Sequence, residues 1–364
     1  METNFGASAP YTVGVEEEFQ LLGHETLGLA PCIDTVLAAR SPGDEHLVTS
    51  ELSSSCLEMR SPVYRTVSGL TAELPGLRRR VKGLAEKGGA LLAAAGTHPF
   101  SAPSDGPVSE GEHYRRVEEE MGWVARTQAI YRLHVHVAVP DEEGAIHAVG
   151  ALAKHVPLLI TLSANSPFWR GRDTRLASTR IKIFDLFPRS GLPPAFRTWG
   201  EFEGHIERLV AAGSIPDYTW CWWDVRPHPR FGTVEVRVLD AQTDPTRTCA
   251  LTALVQCLVA RAVGNDNAPE DPLLTAENKW RATRYGLDAT FHDFASGCST
   301  KARDAARSLV EELGSVSQDL GCEEELAGVI EIAERGNGAG RQRSVLAKGG
   351  TMERVVEDLV RGTA

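Results

Sequence analysis

Tyr11-Thr12-Val13-Gly14-Val15-Glu16-Glu17-Glu18-Phe19-Gln20-Leu21-Leu22 is the stretch on which the fold turns. Val13, Val15, Phe19 and Leu21 alternate with Gly14, Glu16, Glu18 and Gln20, which predicts a β-strand over residues 11–22. Side chains two apart on a strand share a face, so Glu16 and Glu18 lie together. Glu17 points the other way, as a surface or structural residue. Two like charges on one sheet face repel, and a cation between them turns that cost into a binding site. The alternative is an acidic strand end that is simply solvated.

Working outward, Leu57-Glu58-Met59-Arg60 reads as a second strand that stops before Pro62. Ala129–Val139 is β-branched and ends at Pro140, as a strand would. Phe231–Leu239 alternates again, with Val234, Val236 and Val238 on one side and Glu235 and Arg237 on the other. Gly89–Gly96 is a short apolar strand before a turn at Thr97-His98-Pro99-Phe100. Helical patterns cover Val67–Lys87, interrupted or kinked by Pro75, and Glu142–Leu162. A further helix is predicted over Pro245–Val263, capped by Asp244 and ended by Gly264. Thr300–Leu320, Glu323–Arg335 and Thr351–Arg361 are amphipathic helices. Strands with interspersed helices, then a mainly helical C-terminal third, predict one α+β domain over residues 1–364.

The net charge of -11 argues against a nucleic-acid surface, because neutralising phosphates needs excess Lys and Arg. Met1-Glu2-Thr3-Asn4 begins no basic-then-apolar leader, and the most apolar stretch, Val149–Phe168, is broken by Lys154, His155 and Pro157. The cysteine count of 7 is odd and none form Cys-x-x-Cys, so buried free thiols are expected. A cytoplasmic protein without nucleic-acid or membrane partners follows, and a homo-oligomer is compatible with all of this.

Residues that carry chemistry recur on the predicted strands. Glu51 and Glu58 flank a Ser-rich turn, His134 and His136 share one strand face, and Glu235 and Arg237 share another, followed by Asp240. Each histidine alone could equally be a hydrogen-bonded structural residue. Carboxylates suit magnesium together with water and substrate phosphates, whereas imidazoles also suit a transition-metal hydrolase. Both chemistries stay open at this level.

Five segments occur in order: Gly14-Val15-Glu16-Glu17-Glu18-Phe19, Leu133-His134-Val135-His136-Val137, Asn165-Ser166-Pro167-Phe168-Trp169, Arg189-Ser190-Gly191-Leu192-Pro193-Pro194, and the run from Trp223 to Arg237. Together they resemble the type 2 glutamate–cysteine ligase family, also called carboxylate–amine ligases, over about Tyr11 to Arg343. The resemblance implies a glutamine synthetase-like catalytic fold, with a curved, largely antiparallel sheet flanked by helices. It also implies that ATP phosphorylates a carboxylate, often the γ-carboxylate of glutamate, and that an amine then displaces phosphate to form an amide. Small-molecule carboxylate and amine substrates, ATP and Mg2+ (or Mn2+) come with it.

By that resemblance, Glu16, Glu18, Glu51, Glu58, His134 and Glu235 are metal ligands. Glu18, Glu51 and Glu58 would surround one ion, and Glu16, His134 and Glu235 another. Arg237, Arg180 and Arg226 are the candidates for holding phosphate or the acyl phosphate, since guanidinium forks match oxyanions. Arg180 lies in Ala177-Ser178-Thr179-Arg180-Ile181, with Thr179 where the family has Tyr. Gly336–Arg343, with Arg341 and Arg343 as nucleotide contacts, resembles a family segment that could close over the site as a mobile loop. Ile130-Tyr131-Arg132-Leu133 departs from the family's small approach to the histidines, so Tyr131 and Arg132 either reshape the pocket or face away from it. A metal-dependent amidohydrolase, a ligase for a different acid–amine pair, and a non-catalytic metal- or amino-acid-binding protein are the alternatives.

Overall fold

The computed structural model describes residues 1–264 and 271–364. Its centre is a 7-stranded sheet. The strands are β1 (Val13–Leu22), β2 (Val48–Ser50), β3 (Cys56–Arg60), β4 (Leu91–Ala93), β5 (Arg132–Ala138), β6 (Val225–His228) and β7 (Thr233–Asp240). They lie in the order β6-β7-β5-β1-β3-β2, with β4 beside β1, and all pairings are antiparallel.

Alternation makes the sheet two-sided. Val13, Val15 and Phe19 of β1, Val135 and Val137 of β5, and Val234 and Val236 of β7 enter the main apolar core. The helices Val67–Lys87, Glu142–Ser163 and Pro245–Ala262 supply the other half of that core. The first presents Leu70, Leu74, Val81 and Leu84 at helical spacing, each buried side chain contributing about 1.5–3 kcal/mol. The Glu142–Ser163 helix is long and apolar enough to cross a membrane, yet 72% of its apolar window is buried inside the protein. It is the central core helix. All 7 cysteines are free.

The opposite face carries the charges, and the register sets them side by side. Glu16 is opposite His134, Glu18 opposite Glu58, His136 opposite Glu235, and Glu235 opposite Arg226. Between Val236 and Leu239 the pairing of β7 with β5 shifts by one residue. This bulge returns Asp240 to the charged face opposite Arg132, where strict alternation would have turned it to the core.

Three expectations are corrected. The Val67–Lys87 helix runs unbroken through Pro75, because its buried stripe continues on both sides of the proline. Thr300–Leu320 is two helices, Ala302–Glu312 and Gly314–Leu320, preceded by a short strand, Ser299–Lys301. Gly336–Arg343 is no loose loop: Gly338–Ala347 is a helix whose N-cap, Asn337, accepts from Gly340 N. A Cβ on Gly338 would lie 2.1 Å from Asn165 Oδ1, so that glycine marks close packing and not mobility.

Glu17 is structural and buried. Arg78 donates from Nε and Nη2 to its carboxylate, and Thr248 Oγ1 donates to it at 2.7 Å. The same guanidinium reaches the carbonyls of Gln242, Thr243 and Thr363, tying β1 to the chain before the Pro245 helix and to the C-terminal helix. Replacing Arg78 by Leu leaves Glu17 buried without its partner and is expected to cost about 3–5 kcal/mol in urea unfolding. The double variant with Glu17→Leu is expected to lose clearly less than the single one, and an equal or larger loss would speak against this pairing.

Candidate active site

Two acidic groups stand next to each other on the charged face. Glu16, His136 and Glu235 bring one ligand atom each within 4.8 Å of one another, and Glu18, Glu51 and Glu58 do the same. The second group is the one expected from the family resemblance. In the first, the structure puts His136 in the place expected for His134. His134 remains beside it, with Nδ1 2.9 Å from Glu16 Oε2 and 3.8 Å from Glu235 Oε1. Glu51 reaches the site from the turn between β2 and β3, which shows why a strand pattern alone does not find it.

Five carboxylates this close are held by guanidiniums. Arg132 clasps Glu18, with its backbone N–H donating to Oε2 at 2.8 Å and Nε to Oε1 at 2.9 Å, and it lies 3.8 Å from Glu51. Arg60 Nε donates to Glu58 at 2.7 Å and approaches Glu16 to 3.7 Å. Arg226 Nε donates to Glu235 Oε2 at 2.6 Å, and Arg237 donates to its Oε1. Arg132 therefore faces the pocket. Tyr131 faces away, buried, with its hydroxyl 3.1 Å from Ser55 Oγ.

The protonation states divide accordingly. Burial pushes Glu18 up to about 7 against the pull of Arg132, with Glu51 adding to the rise. Burial, then Glu16 and Glu51, raises Glu58 well above the usual carboxylate range. Glu235 goes the other way: burial opposes ionisation, but Arg226 and Arg237 hold it well below that range. Glu16 is likewise held low: the hydrogen bond with His134 and the nearby His136 ring, its Nε2 3.9 Å away, outweigh its burial. Burial and the nearby Arg237 push His134 down to about 3, so its ring is neutral. With Glu16 ionised, His134 Nδ1 carries the proton and Nε2 keeps its lone pair. The Nε2 atoms of His134 and His136 are both buried without partners. Ring nitrogens beside the ionised Glu16 and Glu235 in one group, and three carboxylates, two of them raised, in the other, are donor sets a divalent cation would satisfy.

The remaining predicted residues have other partners. Arg180 is fully buried, with Nε on Asp240 Oδ1 at 2.7 Å and another donor on the Val238 carbonyl, which makes it a brace for the end of β7. Arg226 also donates to the carbonyls of Thr219 and Cys221, so it positions Glu235. Arg341 is engaged by Asp358, and Arg343 by Asp173 and the Leu176 carbonyl. Both stand on the helix Gly338–Ala347. Arg237 differs in lining a cavity; its Nε is buried and unpaired, as is Nη1 of Arg180. A cavity of about 80 Å³ opens beside Glu18, Glu51, Arg132 and Arg237, with Gln128, Phe184, Phe187 and Trp222 among its walls. Gln128, Arg60 and the Lys279–Asp224 ion pair at 2.7 Å were not distinguished in the sequence, where each is an isolated polar residue.

The fold is that of known ligases. A crystal structure of glutamate–cysteine ligase from Francisella tularensis in complex with AMP superposes with a TM-score of 0.72 at 12% identity, covering 98% of this chain and 89% of that one. A bifunctional glutathione synthetase from Pasteurella multocida gives 0.69 at 13% identity, over 97% of this chain and 52% of that one. The profile of glutamate–cysteine ligase family 2 matches residues 12–361, and the chain belongs to that family. A relative from Rubrobacter xylanophilus, named "putative glutamate–cysteine ligase 2-3", is 60% identical over 368 residues and covers 100% of both chains. Another from Sorangium cellulosum, named "putative glutamate–cysteine ligase 2", is 38% identical over 360 residues, 96% of this chain and 95% of its own.

The raised value of Glu18 gives a pH test on metal-free protein. A carboxyl whose folded value lies above its ordinary 4.5 stabilises the fold fully below 4.5 and loses that contribution as the pH rises through about 7. The stability of Glu18→Gln relative to the native chain is therefore expected to increase from pH 4.5 to 7, read by urea midpoints at each pH. A difference that is flat or falls across this window would contradict the assignment.

Proposed function

We propose that this chain is an ATP-dependent carboxylate–amine ligase that forms an amide through an acyl phosphate. The observation that carries the reading is the pair of adjacent acidic groups on one sheet face, with a buried, partly unpaired Arg237 beside them and a cavity at their edge. Glutamate–cysteine ligation is one instance of this chemistry, and the names of the relatives point towards it.

In this reading Glu18, Glu51 and Glu58 hold one magnesium, or manganese, ion. Glu16, Glu235 and an imidazole, His136 or His134, hold another. Bound there, such ions would supply positive charge to offset that of the transferred phosphoryl group. The chain's own residues do the rest. Arg226 and Arg237 keep Glu235 ionised and aimed, and Arg237, on the cavity wall, is the guanidinium that would hold an oxygen of the acyl phosphate. Arg132 fixes both oxygens of Glu18. A carboxylate oxygen of the acid bonds to the γ-phosphorus as the bond to ADP breaks. The amine nitrogen then bonds to the acyl carbon, phosphate leaves with its oxygen, and the nitrogen gives up a proton. The burial of Glu18, Glu58, His134 and Glu235 excludes the water that would hydrolyse the intermediate.

The whole chain would act as one catalytic unit, since the sheet and the helices of the C-terminal third share one apolar core. Use of ATP and free thiols fits the cytoplasm. The two unpaired imidazole nitrogens are what a zinc-dependent amidohydrolase would also need, and ATP dependence separates the two. Release of ADP is expected when an acid and an amine are both supplied, with slow release on the acid alone. Amide hydrolysis indifferent to ATP would replace the ligase reading with the hydrolase. Glu16→Gln and Glu58→Gln are each expected to lower kcat about a hundredfold while thermal melting stays near native, as loss of one preorganised charge does. Near-native turnover in both variants would remove the proposed metal sites. Glu17→Gln is no silent control, because Glu17 is the buried partner of Arg78.

A further inference from the structure

One wall of the cavity beside Glu18 and Glu51 is a helix with few attachments to the rest of the fold. Glu112–Met121 forms it, and His113, Tyr114 and Val117 line the cavity. Val117 is its one buried residue, whereas the core helix Glu142–Ser163 buries most of its length. Among the described residues, the only helix or strand it packs against at length is the four-residue Trp123–Arg126 that follows it. Three polar contacts supplement this. The Tyr114 hydroxyl donates to the Ser50 carbonyl at 2.7 Å, the Arg116 guanidinium lies 5.6 Å from the centre of the Trp220 ring, and Arg126 Nε donates to Glu118 at 2.8 Å. A helix with so little buried apolar area can move without unfolding the core.

The chain on either side is anchored. Before the helix, the Ser109 N–H donates to the Leu52 carbonyl at 2.8 Å and its hydroxyl to the Glu51 carbonyl at 2.5 Å. After it, the buried Gln128 donates from Nε2 to the Ile183 carbonyl at 3.2 Å. Between these fixed points and the helix stand two glycines. Gly111 has φ 139° and ψ 150°, and Gly122 has φ 55° and ψ -127°, conformations that only glycine adopts without strain. A Cβ on Gly122 would meet nothing within 4 Å, so close packing does not account for it.

We propose that Glu112–Met121 is a lid that pivots at Gly111 and Gly122 to admit substrate, and that Tyr114 is the latch that holds it shut on Ser50. Ser50 immediately precedes Glu51, so closure of the lid is tied to the strand end that carries a ligand of the proposed metal. In the closed position the helix separates the acyl phosphate from water. Tyr114 is a positioning residue in this account, acting through the lid. The opening motion stands on the geometry alone, and the exclusion of water rests on the ligase reading.

Cys56 supplies a probe beneath the lid. It stands on β3 on the same face as Glu58, is 2% exposed, and lines the cavity. Cys257, in the apolar core, is the internal control. Alkylation by iodoacetamide is followed at both thiols by peptide mass spectrometry. Tyr114→Phe is expected to speed reaction at Cys56 about fivefold, as loss of one hydrogen bond does, and to leave Cys257 and thermal melting unchanged. Gly122→Ala, which strains the closed backbone without touching the latch, is expected to act in the same direction. With ATP, an acid and an amine supplied, Tyr114→Phe is also expected to form about half as much amide per ADP as the native chain, the remainder being lost to hydrolysis. An unchanged rate at Cys56 in either variant, or rates at Cys56 and Cys257 that rise together, would overturn the lid. A native ratio of amide to ADP in Tyr114→Phe would overturn its role in excluding water. ADP release that no acid–amine pair stimulates would remove the ligase reading and leave the lid to be decided by the alkylation rates.

Discussion

Arg78 and Glu17 set the side on which everything else happens. A carboxylate on the apolar side of β1 can stay ionised there only if a cation is buried with it, and Arg78 meets that need with Nε and Nη2 together. With Glu17 committed to the core side, strand geometry sends Glu16 and Glu18 to the other. A one-residue slip of β1 would bury Glu16 and Glu18 among valines and leave Arg78 unpaired. The register is therefore chosen by charge as much as by apolar pattern.

The charged face is built from opposing demands that partly cancel. Arg226 and Arg237 hold Glu235 low against its burial, whereas burial and the nearby Glu16 and Glu51 raise Glu58 against the pull of Arg60. Two guanidiniums, Arg226 and Arg237, bear on Glu235 at one end of the face, whereas at the other Glu18, Glu51 and Glu58 share Arg132 and Arg60, which leaves carboxylates in excess there. The cavity opens at that deficient end. In the proposed reading this asymmetry is what a divalent cation would offset.

The sheet and its charged residues were legible in the sequence because β-branched alternation is strong in β1, β5 and β7. Glu16, Glu18, Glu58 and Glu235 stand on those strands or on β3, so their shared face followed from spacing or from family resemblance. The roles of the arginines did not follow. Arg180, Arg226 and Arg237 are alike as sequence, and only tertiary contacts tell the buried brace on Asp240 from the clamp on Glu235 and from the side chain with an unpaired Nε. His134 and His136 share one strand face, so pattern could not say which joins Glu16 and Glu235. Gly336–Arg343 misled for a physical reason: a glycine that permits close packing against Asn165, as Gly338 does, looks in sequence like one that permits motion.

The central claim is that a carboxylate oxygen of the substrate becomes bonded to phosphorus on this face. Oxygen-isotope transfer tests it most directly. An acid that stimulates ADP release is labelled with 18O in its carboxylate, and the orthophosphate formed during amide synthesis is analysed by mass spectrometry. The account predicts one 18O atom in each phosphate released. Unlabelled phosphate, or AMP and pyrophosphate in place of ADP and phosphate, would contradict it.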